Sequence, residues 1–230
     1  VAGVKSFFIT SVGTEIGKTF VTCALVSQLR AQGEKAIALK PVISGFNDET
    51  AAETDTGLLL QAMGRGLNAS EVEVISPFRF EAPLSPNMAA EKEGKTLELE
   101  PIIEYSQRTA IDQDYRLIEG VGGIMVPLNN QYTVLDWMKA LGYPIMLVTG
   151  SYLGALSHTL TAIEVLINEG LTIQSLLVSQ SEDGVSLDDT VQTLKQFTPD
   201  SLIIESIPRL ANRDEPWKHV KNLTHILDAE

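Results

Sequence analysis

Six short apolar runs are spaced through the chain: Ser6 to Thr10, Ala36 to Leu39, Arg116 to Ile118, Ile145 to Thr149, Ser175 to Val178 and Leu202 to Ile204. Runs this short that do not alternate polar with apolar predict strands buried on both faces, as in a parallel sheet whose crossover helices cover it. The stretches between them carry a different period. Val21, Leu25 and Leu29, and then Leu156, Leu160, Ile163 and Ile167, recur near 3.6 residues and predict amphipathic helices. Strands alternating with helices predict an α/β fold: a doubly wound, mainly parallel sheet with flanking helices. Gly33, Gly142 and Gly170 each stand between a helical pattern and the next strand, where a left-handed residue ends a helix.

At 230 residues the chain suits one domain over 1–230, and 44% apolar positions supply a substantial core. The segment from Phe46 to about Gln113 is long for one crossover. With a helical patch at Thr56 to Met63 and prolines from Pro77 to Pro86, it predicts an added element and a functional loop. Seventeen basic against thirty acidic side chains give a net charge of −13, opposite in sign to a nucleic-acid binder's field. The acidic run Glu182, Asp183, Asp188 and Asp189 reads as a solvated loop and helix start without chemistry. One cysteine, Cys23, excludes an internal disulfide and reads as a small core residue in a reducing cytoplasm. No apolar run approaches the roughly 18 residues that span a bilayer. Phe7-Phe8-Ile9 is too brief for a signal-peptide core, so a cytoplasmic protein without a membrane partner is expected. His158, His219 and His225 lack zinc-ligand spacing, and Trp137 and Trp217 read as packing residues.

Thr10-Ser11-Val12-Gly13-Thr14-Glu15-Ile16-Gly17-Lys18-Thr19 follows the first apolar run and opens the first helical pattern, the context a phosphate loop requires. Gly17 lets the backbone approach a phosphate, and the helix start favours an anion. Lys18 adds a full positive charge, and the Thr19 hydroxyl suits Mg²⁺. The pattern departs from G-x-x-x-x-G-K-[ST], since Val12 stands five positions before Gly17 and the glycine lies at Gly13. Glu119 ends an apolar run before Gly120-Val121-Gly122-Gly123, at the sheet edge where open α/β folds bind ligands, and is a candidate carboxylate for the metal. Read alone, Asp55 is a helix cap with a metal role as the other reading. Lys40, likewise, is a surface lysine at a strand end unless it reaches the edge that holds Lys18.

Taken in order, the segments Thr14-Glu15-Ile16-Gly17-Lys18-Thr19, Lys40-Pro41-Val42-Ile43-Ser44-Gly45, Asp55, Glu81-Ala82-Pro83-Leu84-Ser85-Pro86, Glu119-Gly120-Val121-Gly122-Gly123, Pro127-Leu128 and Leu153-Gly154-Ala155 resemble the dethiobiotin synthetase family over nearly the whole chain. The resemblance implies a P-loop NTPase-like fold and ATP- and Mg²⁺-dependent ring closure of 7,8-diaminononanoate with CO₂ or bicarbonate. It assigns catalysis to Lys18, Lys40 and Ser44, and Mg²⁺ to Thr19, Asp55 and Glu119. The nucleotide is expected on Gly13, Thr14, Glu15, Ile16, Gly17, Lys18 and Thr19 with Glu119 and Gly122, its base near Ser179, Gln180, Pro208 and Leu210. The diamine is expected along Lys40, Ser44, Pro83 and Ser85. Its carboxylate is expected at the helix start Gly154, Ala155, Leu156 and Ser157 of a partner subunit, so a homodimer is implied.

The chain also departs from the family. Ser11 stands where a glycine usually opens the loop, Gly13 replaces a commonly acidic residue, and Asn87 occupies a frequent histidine position. Ser179-Gln180 stands where many members offer an asparagine to the base, which leaves adenine selectivity open. The competing class is an ATP-driven switch or partitioning ATPase of the same superfamily. Such proteins typically add an early loop lysine, and Ser11 to Ile16 contain none; many need a basic face, against the −13 charge. A nucleotide-binding module without catalysis would not need Lys40, Glu119 and the proline loop together.

Overall fold

A computed structural model describes residues 3–182, 184–210 and 214–227. The strands are β1 (Lys5–Ser11), β2 (Ala36–Leu39), β3 (Val42–Ser44), β4 (Phe78–Phe80), β5 (Tyr115–Glu119), β6 (Ile145–Gly150), β7 (Ile173–Ser179) and β8 (Ile203–Ile207). Six of them form one sheet in the order β2-β5-β1-β6-β7-β8, and every neighbouring pair is parallel. The chain therefore starts in the middle of the sheet and winds outward both ways. That places the carboxyl end of β1, between those of β5 and β6, at the topological switch where such sheets bind ligands.

Each of the six expected runs lies on one of these strands, with small changes of boundary. The last begins at Ile203 rather than Leu202 and extends to Ile207, on a half-buried edge strand. The central strands read as continuous apolar runs because both faces are covered: all six residues of β6 are buried. The helices are α1 (Lys18–Ala31), α2 (Asp55–Ala62), α3 (Ala69–Ile75), α4 (Pro86–Lys92), α5 (Leu99–Arg108), α6 (Val134–Leu141), α7 (Ala155–Asn168) and α8 (Leu187–Phe197). Gly33, Gly142 and Gly170 follow α1, α6 and α7 with left-handed backbone, as expected.

A contiguous cluster of buried apolar side chains runs from Phe7 to Leu227. Within it Phe8 and Trp137 meet edge to face at 4.8 Å, and the Trp137 N–H donates to Ser106 Oγ at 3.3 Å. Cys23 is buried, and burial pushes its thiol well above the usual range, so it is the core residue expected. Asp188 and Asp189 lie in the first turn of α8, where they complement the helix dipole; Asp183 lies outside the described residues. Among the described residues no helix is long and apolar enough to cross a membrane.

Two features differ from expectation. The long segment after Phe46 contributes α2 to α5, and its strand β4 pairs with β3 in a second, two-stranded parallel sheet. In α7 the buried side is Ala155, Thr159, Ala162, Ile163 and Leu166, whereas Leu156 and Leu160 are half-buried and Ile167 is 50% exposed. On that side Thr159 Oγ1 bonds Thr149 Oγ1 of β6 at 2.6 Å, a polar contact that apolar spacing does not reveal.

Candidate active site

β1 ends at Ser11, and α1 starts at Lys18 with Gly17 as its N-cap at φ 102°. Glu15 also has positive φ, 58°, so the intervening loop alternates handedness and gathers its N–H groups on one side, an arrangement suited to anions. Only glycine fits at 17: besides the left-handed backbone, a Cβ there would lie 3.0 Å from Ser179 Oγ. Gly123 is pressed equally close, since its Cβ would come within 3.2 Å of the Val12 and Gly13 backbone. The loop after β5 is thereby held against the phosphate loop.

The charged side chains converge at this edge. Lys18 Nζ donates to Ser11 Oγ at 3.0 Å and to the Gly13 carbonyl at 3.1 Å. Thr19 Oγ1 lies 2.8 Å from both Asp55 Oδ1 and Glu119 Oε1. Lys40 Nζ reaches Glu119 Oε1 at 2.8 Å, Asp55 Oδ2 at 2.9 Å and the Gly120 carbonyl at 2.8 Å, so all three of its protons have acceptors. Lys40 is only 2% exposed and Glu119 is fully buried. Burial opposes the charge on Lys40, but the two carboxylates outweigh it and raise the ammonium above its usual range. Lys18 behaves oppositely. Burial, reinforced by the charge of Lys40, lowers it to about 8 against the weaker pull of Glu119 and Asp55. Burial works to raise Asp55, and Lys40 with Thr19 and Lys18 holds its carboxyl below the usual value.

These groups surround a cleft of ≈ 320 Å³ lined by Thr14, Glu15, Ile16, Gly17, Lys18, Thr19, Lys40, Ser44, Asp55 and Gly122, together with Ile43 and Val121, which sequence reasoning did not single out. Gly13 does not line this cleft; its carbonyl accepts from Lys18, and the residue borders an apolar groove beside α7. A second groove of ≈ 440 Å³ continues past Gly17 to Ser179, Gln180, Pro208 and Leu210, and adds Phe20, Arg209 and Pro216. Gln180 Oε1 accepts the Arg209 N–H at 3.0 Å, and Arg209 pairs with Glu182 at 3.0 Å.

Two readings made residue by residue are corrected. Lys40 is a buried, paired side chain and not a surface lysine. The cap of α2 is Thr54, whose hydroxyl accepts from the Gly57 N–H, while Asp55 occupies the first helical position with its carboxylate turned to Lys40 and Thr19. Pro83 abuts Gly45, where a Cβ would lie 3.3 Å from the proline ring. Ser85 stands at the start of α4, its hydroxyl donating to Asn87 Oδ1 at 2.6 Å, and Asn87 lines a different cleft. Gly154, Leu156 and Ser157 line a groove against α8 and do not reach the phosphate cleft of their own chain. Ala155 is buried and its N–H already donates to the Tyr152 carbonyl at 3.0 Å, so the remaining donors of that helix start fall to Gly154, Leu156 and Ser157.

Strand order, loop and lysine–carboxylate cluster define the phosphate-loop α/β class. Two solved structures share the architecture: the MinC:MinD cell division protein complex of Aquifex aeolicus (TM-score 0.55, 14% identity, 94% of this chain and 86% of that one) and the septum site-determining protein MinD of Pyrococcus horikoshii complexed with Mg-ADP (TM-score 0.54, 17% identity). At such identities the likeness is one of fold. An AAA domain family (AAA_26) matches residues 5–216. The ATP-dependent dethiobiotin synthetase BioD of Caulobacter vibrioides is 44% identical over 212 residues, covering 91% of this chain and 95% of that protein. Those of Phenylobacterium zucineum and Legionella pneumophila are 45% and 34% identical, each over 83% of this chain. The chain belongs to the dethiobiotin synthetase family and is an enzyme of that synthetase class.

Proposed function

We propose that this chain, acting as one domain, converts 7,8-diaminononanoate, CO₂ and ATP into dethiobiotin, ADP and phosphate. The observation that carries the reading is one cleft lined by Lys18, Thr19, Lys40 and Asp55, with the buried Glu119 bonded to Thr19 and Lys40, in a member of this family. One substrate amine adds to CO₂ and loses a proton, giving a carbamate. A carbamate oxygen attacks the γ-phosphorus of ATP, and ADP leaves. The second amine then attacks the carbonyl carbon of this mixed anhydride, the C–O bond to phosphate breaks, and the nitrogen gives up a proton as the ring closes. The protein's share is alignment and charge neutralisation. Lys18 would meet the terminal phosphate, and Lys40 beside Ser44 would hold the carbamate and stabilise charge on the transferring group. The proline-fixed turn Pro83 to Pro86 would wall the diamine, with Ser85 at its end.

The residues fit Mg²⁺. Glu119 Oε2 is buried without a hydrogen-bond partner, and Asp55 and Thr19 offer two further oxygens beside it, the sparse hard-oxygen set that Mg²⁺ takes with phosphate and water. When bound, the ion neutralises charge on the β- and γ-phosphates. The loop residues Gly13 to Thr19 and Gly122 would cradle the phosphates. The base would lie against Ser179, Gln180, Pro208 and Leu210. A homodimer in the cytoplasm completes the reading, with Leu156 and Ser157 of one protomer binding the diamine's carboxylate in the other's site. The deciding experiment is phosphate release with Mg-ATP and bicarbonate, with and without the diamine, followed by mass detection of the cyclic urea. Diamine-dependent release matched by an equal yield of urea is expected. Release indifferent to the diamine refutes the reading.

A further inference from the structure

Ser11 stands at the end of β1, at a position where the family resemblance leads one to expect glycine. It is fully buried, and its single hydroxyl meets four groups. It accepts from Lys18 Nζ at 3.0 Å and from the Gly13 N–H at 3.3 Å, and it donates to the Gly13 carbonyl or to the Gly122 carbonyl at 3.2 Å. One proton and two lone pairs are thereby filled. Lys18 in turn has three protons. Ser11 Oγ and the Gly13 carbonyl take two, and the third is the one left for a phosphate.

We propose that Ser11 is a positioning residue for Lys18: its hydroxyl fixes the ammonium in the orientation that meets the terminal phosphate and, when its one proton turns to the Gly122 carbonyl, ties the phosphate loop to the loop that follows Glu119. A glycine there supplies neither contact. A flexible four-carbon side chain would then have to lose its rotamer freedom on each binding event. In a buried site the hydrogen bond between Ser11 and the charged Nζ is of the stronger kind.

The inference rests on the nucleotide-binding part of the proposed function and not on the diamine, and its test uses nucleotides alone. The proposal aims the third Lys18 proton at the γ-phosphate, which ADP lacks, so the positioning is read in the preference for a non-hydrolysable ATP analogue over ADP. Both affinities are measured by calorimetry with Mg²⁺ for the parent, Ser11→Ala and Ser11→Thr. The analogue-to-ADP preference is expected to fall about tenfold in Ser11→Ala and to return to within about twofold of the parent in Ser11→Thr. Should Ser11→Ala fail to fold, Ser11→Gly carries the same comparison. A preference unchanged in the hydroxyl-less variant overturns the proposal, as does an equal weakening of both nucleotides, which is what a purely structural serine would produce. A threonine variant that stays at the alanine value overturns it too. Failure of the ligase reading would appear separately, as absence of diamine-dependent turnover in the parent.

Discussion

Lys18 and Lys40 share one sheet edge yet titrate in opposite directions, because their partners differ. Lys40 is surrounded by Asp55, Glu119 and the Gly120 carbonyl, whereas Lys18 has a hydroxyl and a carbonyl for its contacts and Lys40's charge near it. The consequence is a pH dependence in nucleotide binding. With Lys18 lowered to about 8, its ammonium is present at pH 7 and largely lost at pH 9, while Lys40 stays charged throughout. Affinity for ATP should therefore weaken about tenfold between those two values, and isothermal titration checks it. Lys18→Ala should abolish phosphate release and leave the melting temperature near that of the parent, since the residue gives charge to the ligand more than packing to the core. Glu119→Gln removes one charge from the pair of carboxylates that face Thr19. It is expected to raise the Mg²⁺ concentration for half-maximal turnover by roughly tenfold or more, as removal of a ligand should cost at least what removal of its supporting partner does. An unchanged metal titration would take Glu119 out of the site.

Among the elements, α1 does two jobs: its first turn carries Lys18 and Thr19, and its far half anchors the end of the described chain. Gln28 donates to the Lys221 carbonyl at 3.0 Å and accepts the Leu223 N–H at 2.8 Å, so one side chain holds both directions of a backbone strap, with Trp217, Leu223 and Ile226 buried around it. Gln28→Ala leaves those backbone groups to water and should destabilise the fold by about 0.5–1.5 kcal/mol, read as a shift of the urea midpoint at unchanged slope. Such long-range pairings explain what the sequence made legible and what it did not. The central strands of the main sheet announced themselves because burial on both faces forces continuous apolar runs, and the half-buried edge strand β8 through its Leu202 to Ile204 run. Strands β3 and β4, at three residues each, are too short to show any period. Glu119 was readable as a strand end before glycines. Asp55 and Lys40 were not, since their meaning lies in a contact between a helix start and a neighbouring strand end that local pattern does not encode. Phe20 faces the second groove from a helix whose Val21, Leu25 and Leu29 are core, and spacing alone does not separate the two. Apolar spacing does not give the buried side of α7 in full, since Thr159 meets Thr149 across it.

For the whole molecule, the α7 flank poses the question of assembly. Leu153 is 91% exposed, Met125 56% and Ile167 50%, and an apolar groove of ≈ 470 Å³ runs between α7 and the loop that holds Ile124 and Val126. Other exposed apolar side chains, such as Ile111 and Phe197, lie elsewhere, but the groove beside α7 is the kind of apolar surface that an interface covers. The phosphate cleft of a chain also lacks the helix start that the proposed diamine site needs, because Leu156 and Ser157 line a groove on α8 instead. If two copies exchange these parts, a defect in the phosphate loop and a defect at the helix start fall in different subunits of the same site. Ser157 is exposed, so Ser157→Asp should fold normally while placing a negative charge where the substrate's carboxylate must bind. Alone, the Lys18→Ala and Ser157→Asp proteins should each be nearly inactive at low diamine. Mixed in equal amounts and allowed to exchange subunits, half the dimers become mixed, and one of the two sites in each mixed dimer carries neither defect. Activity should then recover to about a quarter of the parent's, with sedimentation giving a species of about twice the 25.0 kDa chain mass. No recovery, in a mixture where exchange is demonstrated with labelled subunits, would mean that each site is built within one chain.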